Sequence, residues 1–248
     1  YKEAIKRKPD NIGLIKSYGM FLSDTMVRRY TQSITYLEKA LKEKPNDKEL
    51  HERIAKTYLI LLDSVKTKAK KRQYSKKALK SLNWLISQKP DEYLYYLDKA
   101  KVFEKIKLKD STVFYYNKSC ELAPERAKLG IKINLSLYYL YDLKRPVKAR
   151  SILTEVLKDT TLATNLEGTI YYLIGNTYYF EAGQKMRIAK RTKGKKKRNI
   201  FKQAYNIFQN AISYYNKAIS LGEKRAITTK KKAEELSKVC YRKWKGIE

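Results

Sequence analysis

The chain is poor in residues that interrupt helices and in residues that carry most enzyme chemistry. Its 248 residues include only nine glycines, five prolines, two cysteines and one histidine. So few glycines and prolines favour long helices over a turn-rich β fold, and we therefore expect a nearly all-helical protein. No stretch approaches the roughly 18 uncharged apolar residues that a membrane-spanning helix needs, so the sequence predicts no such helix.

The scarcity of cysteine and histidine limits the chemistry that the protein can perform. Cys120 and Cys240 cannot form a disulfide framework, and each lies among helix-forming residues. We expect buried thiols, with a single disulfide as the alternative. The lone histidine, His51, is expected to be packed or exposed rather than catalytic, and no metal, nucleotide or nucleophile motif is present. We predict a protein that is not an enzyme, with no cofactor and no small-molecule substrate.

Acidic residues are also scarce relative to basic ones. The chain has 56 Lys and Arg against 25 Asp and Glu, which gives a formal net charge of +31. Such an imbalance raises a positive potential over much of the surface, and this favours an anionic partner. The alternative is that the lysines only solvate exposed helix faces.

What the sequence does contain is a recurring helical pattern. A small residue is followed four positions later by an aromatic residue or leucine, and three positions after that by another small or apolar residue; a proline often follows. This spacing puts the three residues on one helix face, and proline ends the helix. The copies are Ser33, Leu37, Ala40 and Pro45; Ala78, Leu82, Leu85 and Pro90; Thr112, Tyr116, Ser119 and Pro124; Ala149, Leu153 and Val156; and Ala211, Tyr215 and Ala218, with a partial copy at Tyr1, Ala4 and Pro9.

A second pattern precedes each copy and is clearest in residues 171–180, YYLIGNTYYF. Tyr171, Ile174, Gly175 and Tyr178 fall on one helix face, which we predict to be its only buried side. A mid-helix glycine costs about 1 kcal/mol against alanine, so Gly175 predicts the close approach of a second helix. The spacing is similar to W-x2-L-G-x2-Y, the first-helix signature of the tetratricopeptide repeat. Weaker versions are Tyr18, Gly19 and Leu22; Ile54, Ala55 and Tyr58; Ala100 and Phe103; and Leu135, Ser136 and Tyr139.

The resemblance implies an all-α fold: a right-handed α-solenoid of about five tetratricopeptide-like helix pairs with a C-terminal capping helix. Within a single domain, 1–248, we predict a half-repeat at 1–11, repeats at 12–47, 48–92, 93–126, 127–163 and 164–222, and a capping helix at 223–248 that packs through Leu236, Val239 and Trp244. An unrelated helical bundle is the alternative. The chain begins in mid-repeat without a methionine, so we expect upstream sequence, where a signal peptide or lipid anchor would lie.

The same resemblance implies a groove lined by first-helix side chains. We predict a non-enzymatic scaffold that binds a protein or peptide with apolar anchors and some negative charge in this groove. The alternative is that these residues only pack. The predicted groove residues are Lys16, Met20, Glu52, Lys56, Leu97, Lys101, Tyr172, Asn176 and Tyr179.

Two insertions depart from the repeat pattern, and both are basic. Residues 66–77 hold seven Lys and Arg, residues 185–198 hold nine, and neither segment has an acid. In a solenoid both would emerge on one edge, formed by Lys68, Lys70, Lys71, Arg72, Lys195, Lys196, Lys197 and Arg198. We expect either solvated helix extensions with a lysine-rich loop, or a surface for an anionic partner: nucleic acid, lipid membrane or cell-wall polymer. This second reading is the alternative function.

The chain also looks like tetratricopeptide proteins of bacterial cell envelopes, some from spirochaetes. The shared features are a composition rich in Lys, Tyr and Ile and a sequence that starts in the middle of a repeat. Those proteins support envelope integrity or division. This resemblance implies a periplasmic or envelope-associated location in preference to a cytoplasmic one.

Overall fold

The protein is built from helices, as its composition predicts. A computed structural model describes residues 1–159 and 162–247; residues 160, 161 and 248, which belong to the predicted fourth repeat and capping helix, lie outside the described residues. The described residues contain no strand, and none of their helices is long and apolar enough to cross a membrane. The helices are α1 (Lys2–Arg7), α2 (Ile12–Leu22), α3 (Tyr30–Glu43), α4 (Lys48–Ser64), α5 (Lys68–Gln88), α6 (Tyr93–Lys105), α7 (Lys109–Leu122), α8 (Glu125–Tyr141), α9 (Pro146–Val156), α10 (Thr164–Lys190), α11 (Gly194–Ser220) and α12 (Arg225–Lys245).

Local signals in the sequence set several helix ends. The side chains of Asn11, Asp47 and Thr67 accept hydrogen bonds from backbone N–H groups in the first turns of α2, α4 and α5. These bonds satisfy donors that have no partner within the helix. Pro146 is the first residue of α9, where its missing N–H costs nothing. The three prolines of the repeating pattern follow directly on helix ends: Pro45 after α3, Pro90 after α5 and Pro124 after α7.

The chain divides into two compact units, residues 1–131 and residues 132–248. In the first unit α4 and α5 run antiparallel. Tyr58 contacts Tyr74 near the loop that connects the two helices, and His51 contacts Trp84 at the other end of the pair. The pairs α2 with α3 and α6 with α7 pack in the same way. The hydroxyl of Ser119 in α7 donates to the carbonyl of Tyr93 at the start of α6.

The residues of the recurring pattern lie on the buried faces of their helices. Every small, aromatic or aliphatic position of the five full copies is buried. Gly19 shows why small residues recur: a Cβ there would lie 3.1 Å from the backbone nitrogen of Leu37 and 2.9 Å from its side chain. The partial copy at the start behaves differently, since α1 buries no residue.

The second unit contains a more regular helix interface. Gly168, Gly175, Ala182 and Ala189 recur every seven residues on α10, and Phe201, Phe208 and Tyr215 recur every seven on α11; all are buried. A Cβ on Gly175 would lie 2.6 Å from the Tyr215 ring. Because the helices are antiparallel, this contact sets Ala182 opposite Phe208 and Ala189 opposite Phe201. Small residues on one helix thus receive the rings of the other, and the predicted close approach at Gly175 is confirmed.

The packing of α10 and α12 differs from the prediction. The stretch 171–180 is buried on more than one side, because α10 packs against both α9 and α11; Leu173 and Thr177 are buried, whereas Tyr171 and Tyr178 are only partly buried. On α12 the buried residues are Ala226, Ala233, Ser237 and Cys240, with Leu236 and Trp244 at the margin. The prediction for Val239 is wrong, since this side chain is 42% exposed.

Candidate interaction surfaces

The first helices of the first unit lie side by side and present a common face. Lys16 of α2 reaches Glu49 of α4 at 2.7 Å. The hydroxyl of Tyr95 in α6 donates to Glu52 of α4 at 2.7 Å. The six predicted groove residues of this unit lie on α2, α4 and α6, as the resemblance implies: Lys16, Met20, Glu52, Lys56, Leu97 and Lys101.

Most charges on this face are already compensated within the protein. Lys16 lies 2.7 Å from Asp47 as well as from Glu49, and Lys101 lies 3.3 Å from Asp98. Burial would raise the pKa of Asp47, but hydrogen bonds from Lys16 and from the Leu50 N–H outweigh it, so this pKa is lowered. Few cations therefore remain for an acidic partner, and Lys56 is the exposed lysine of the predicted set.

In the second unit the predicted groove residues come together around one amide. The Tyr215 hydroxyl of α11 donates to the Asn176 side-chain oxygen of α10 at 2.9 Å. The Tyr172 ring lies 6.0 Å from the Tyr215 ring, and Tyr179 contacts Phe208 edge to face. Tyr141, at the end of α8, hydrogen bonds to Asn176 as well. We call Tyr141, Tyr172, Asn176 and Tyr179 the tyrosine face.

The hydroxyl groups of this face are close enough to affect one another. Burial raises the pKa of Tyr215, and the nearby hydroxyls of Tyr172, Tyr179 and Tyr141 raise it further. Burial also raises the pKa of Tyr141, while the hydrogen bond with Asn176 opposes that rise. Tyr141 is nevertheless 46% exposed, so its ring is open to solvent although its hydroxyl is sheltered. The face thus combines accessible ring surface with hydroxyl and amide hydrogen-bonding groups.

A fixed ion pair borders the tyrosine face. The Arg225 guanidinium lies 5.1 Å from the centre of the Tyr172 ring, and its Nε donates to Glu223 at 2.8 Å. Thr169 also donates to Glu223, at 3.0 Å. The hydrogen bond from Arg225 is the main reason that the Glu223 pKa falls to about 2. Glu223 therefore compensates the charge of Arg225, whose guanidinium also makes a cation–π contact with the Tyr172 ring.

The amide of Asn176 can do more than hold the tyrosines. A side-chain amide has two N–H donors and an oxygen with two lone pairs. One lone pair accepts from Tyr215 and one N–H serves Tyr141, so one donor and one acceptor remain without a partner among the described residues. These complement the C=O and N–H of a peptide group, and the flanking rings offer apolar area.

Two members of this cluster were not predicted from the sequence. The groove positions were assigned in four of the five repeats, and the fourth repeat, which ends its first helix with Tyr141, received none. Tyr215 was predicted to pack, which is correct, but its hydroxyl also orients Asn176. The run YYLY at 138–141 is the signal that could have identified Tyr141, because it places a further aromatic directly beyond the buried Tyr138 and Tyr139.

The basic segments are helical rather than loops. Residues 68–77 belong to α5, and residues 185–190 and 194–198 belong to α10 and α11, so only residues 191–193 join α10 to α11. Of the first alternative, the helix extensions are confirmed and the lysine-rich loop is not, because the extra residues lengthen the helices. Lys68, Lys70, Arg72 and all four of Lys195 to Arg198 are exposed, while Lys71 is partly buried. One segment lies in each unit, and their shared edge stays a prediction.

His51 has a packing role. It is 5% exposed and its ring stacks on Trp84 at 4.0 Å, with Nε2 2.9 Å from the Pro45 carbonyl oxygen. Burial is the main cause that lowers its pKa. Of the two expected states, packed or exposed, His51 has the packed one. Neither Cys120 nor Cys240 forms a disulfide.

Solved structures show the same fold at low sequence identity. A tetratricopeptide repeat protein from Parabacteroides merdae is 14% identical over 95% of this chain and 89% of its own, with a TM-score of 0.54. A monomeric mutant of IFIT1 with Gppp-AAAA is 14% identical over 99% of this chain and 54% of its own, with a TM-score of 0.51. A repeat protein of the same class from Bacteroides fragilis is 14% identical over 92% of this chain and 98% of its own, with a TM-score of 0.41. No protein-family model and no curated protein sequence matches the chain. The chain therefore has the all-helical fold of the α-solenoid class found in tetratricopeptide repeat proteins.

Proposed function

We propose that this protein is a non-enzymatic scaffold that binds an extended segment of a partner protein on the tyrosine face. Apolar side chains of the segment pack on the rings of Tyr141 and Tyr172. One backbone peptide group of the segment hydrogen bonds to the Asn176 amide. The bound segment is neutral or weakly charged at this point, because Arg225 is already paired with Glu223.

The observation that carries the proposal is the half-satisfied Asn176 beside an exposed aromatic ring. A core tyrosine cluster would bury its rings, yet Tyr141 is 46% exposed. Tyrosines are frequent anchors in protein interfaces because they bring large area at a low cost in conformational entropy. The hydrogen bonds from Tyr215 and to Tyr141 hold Asn176 in place before the partner arrives, which reduces the entropy lost on binding.

The first-helix face of the first unit supports a weaker version of the same function. It offers exposed or partly exposed apolar side chains, such as Leu97 and the 42% exposed Ile60 of α4. Its lysines are mostly paired, so a strongly acidic partner segment is not favoured there. The role in the cell envelope and the envelope-associated location stay predictions.

The proposal can be tested with peptides selected on the full chain. A displayed library of random 12-residue peptides is selected on the immobilised protein, and the dissociation constants of the best peptides are measured by calorimetry. We expect Tyr141→Ala to weaken binding by about 10- to 30-fold, the effect of a typical interface anchor. The matched control is Phe114→Ala, which removes an aromatic side chain that is 60% exposed in the first unit.

Two results would contradict the proposal. One is a set of selected peptides that bind Tyr141→Ala and Asn176→Ala as tightly as the native protein. The other is a loss of binding in Phe114→Ala equal to that in Tyr141→Ala. Circular dichroism of each variant establishes that the helices are retained.

A further inference from the structure

Three helix ends meet at one end of the second unit. The Lys185 ammonium near the end of α10 donates to Gln203 of α11 at 2.9 Å. A Cβ on Gly246, which ends α12 in the left-handed conformation, would lie 3.7 Å from an Arg198 guanidinium nitrogen. The C-terminal ends of α10 and α12 therefore flank the N-terminal part of α11. We call residues 185–205 and 238–247 the basic tip.

The basic tip concentrates positive charge without compensation. Residues 185–205 hold ten Lys and Arg and residues 238–247 hold four, with no acid in either range. Within the described part of the chain, no carboxylate lies within ion-pair distance of these fourteen side chains. From the sequence, only residues 185–198 were identified as a basic segment. The fold places the end of α12 beside this segment.

Part of this charge is placed where a helix disfavours it. Cations at the ends of α10 and α12 complement the negative end of each helix dipole. Lys195, Lys196 and Lys197 instead occupy the first turn of α11, which has no acidic residue. The dipole is positive there, so these lysines are repelled by the helix as well as by one another. An anionic ligand would relieve both repulsions.

Aromatic rings lie among these cations. Tyr205 of α11 and Tyr241 and Trp244 of α12 have ring centres 5.6 to 6.0 Å apart. The Lys202 ammonium lies 5.1 Å from the centre of the Trp244 ring and that of Lys245 lies 4.7 Å from it. Tyr241 is 40% exposed. Residues 185–198 themselves contain no aromatic residue. Tyr241 and Trp244 join the basic tip because α12 packs antiparallel to α11.

We propose that the basic tip binds single-stranded nucleic acid. Lysines at the start of α11 and the cations at the end of α12 neutralise phosphates, and Tyr241 and Trp244 stack on bases. Stacking is open to any base, and cations next to ring faces place phosphates and bases side by side. A duplex hides its base faces and would use only the charge. This site is distinct from the tyrosine face and does not depend on the peptide-binding proposal.

An anionic lipid surface is the competing ligand, because two isoleucines in the same tip, Ile188 and Ile247, are 52% and 53% exposed. The ring arrangement favours nucleic acid. The ammonium groups of Lys202 and Lys245 lie 5.1 and 4.7 Å from the centre of the Trp244 ring, so that the indole is presented together with cations rather than with an apolar stripe. Vesicles are therefore one arm of the test.

The protein contains a built-in reporter for this proposal. Trp84 and Trp244 are its two tryptophans, so Trp84→Phe leaves Trp244 as the sole indole fluorophore. The full-length variant is titrated with the 12-nucleotide oligothymidylate dT12, and Trp244 emission is followed at 50 and 200 mM NaCl. We expect saturable quenching, and an affinity that falls about 100-fold between the two salt concentrations if roughly five phosphates are neutralised. The emission difference between native protein and Trp244→Phe gives the same readout should Trp84→Phe fold poorly.

Charge and stacking are separated by variants. Changing Lys195, Lys196 and Lys197 together to Gln should weaken binding and reduce the salt slope by about 2. The matched control changes Lys66, Lys68 and Lys70 to Gln; it removes the same charge from the first unit and should leave the affinity almost unchanged. Tyr241→Ala should weaken binding by about 5- to 100-fold with the salt slope retained.

Three outcomes would overturn the proposal. The first is no binding of dT12 at 50 mM NaCl, with or without binding to vesicles of phosphatidylglycerol and phosphatidylcholine; binding of vesicles alone would assign the tip to a membrane surface. The second is an equal loss in the control variant, which would show attraction by net charge. The third is binding without a change in Trp244 emission.

Discussion

The contact between Gly175 and the Tyr215 ring makes a quantitative prediction about stability. In Gly175→Ala the new Cβ would lie 2.6, 2.7 and 3.2 Å from three atoms of that ring. The ring has no room to retreat, because Tyr215 is 0% exposed and its hydroxyl is bound to Asn176. Overpacking of this kind costs up to about 3 kcal/mol, and the better helix propensity of alanine returns about 1 kcal/mol. We therefore expect a net loss of about 2 kcal/mol.

The assay is thermal or urea unfolding followed by circular dichroism. For a chain of this length a loss of about 2 kcal/mol corresponds to a decrease in Tm of about 4 °C. Gly183→Ala is the matched control, because Gly183 lies eight residues further along the same helix and a Cβ there would meet no atom within 4 Å. Gly183→Ala should stabilise the protein by up to about 1 kcal/mol.

A second substitution tests the cause of the loss. Tyr215→Leu removes the ring that the alanine would strike, so Gly175→Ala should cost much less in that background than in the native protein. The reasoning fails if Gly175→Ala stabilises the native protein as much as Gly183→Ala does, or if its cost is unchanged in the Tyr215→Leu background.

Three further predictions concern single side chains. Tyr58→Phe removes a hydroxyl that donates to Glu38 at 2.5 Å, and we expect it to cost about 1.5 kcal/mol in urea unfolding; no loss would contradict this. The pKa of Glu223 is lowered from its ordinary value of 4.5 to about 2, so its ion pair stabilises the fold fully above about pH 4.5. This stabilisation is lost as the pH falls towards 2. The unfolding free energy of Glu223→Gln should therefore vary less with pH in that range than that of the native protein. Burial raises the Cys240 pKa to about 11, so its thiol should resist a disulfide reagent until the protein unfolds, and stability should decrease as the pH rises from about 9 to 11; rapid labelling of Cys240 in the native protein would contradict this.

The sequence was sufficient to predict the helix interfaces because they follow a local rule. A small residue, a ring or leucine four positions later and another small or apolar residue three positions on must lie on one buried face, as Ala78, Leu82 and Leu85 do. Proline marks where several of these helices end, as at Pro45 and Pro90. Such signals need only a few adjacent turns of one helix, so they are readable without knowledge of the fold.

The remaining features depend on which helices are neighbours. Val239 is apolar but exposed, because α12 approaches α11 through small residues such as Ala233 and Cys240. The seven-residue spacing of Gly168, Gly175 and Ala182 is present in the sequence. It identifies a helix interface only together with the matching spacing of aromatic rings on α11. A lysine-rich loop was part of one alternative for the second basic segment, whereas residues 194–198 form the start of α11. Packing of the rest of that helix outweighs the repulsion among its clustered lysines.

The surfaces were predictable only in part for the same reason. Tyr172, Asn176 and Tyr179 were assigned to the groove from the resemblance to the tetratricopeptide repeat, and all three lie on α10. Tyr141 and Tyr215 come from two other helices, and their distances to Asn176 are fixed by tertiary packing. The proximity of the end of α12 to the basic segment 185–198 was likewise not predictable, because it depends on the antiparallel packing of α11 and α12.

The most direct test of a partner segment on the tyrosine face is site-specific crosslinking with a selected peptide that carries a benzophenone. After irradiation with the full chain, the modified residues are mapped by mass spectrometry. We predict crosslinks at Tyr141 and within residues 172–179. Crosslinks confined to the first unit, or distributed along the chain without preference, would contradict the account.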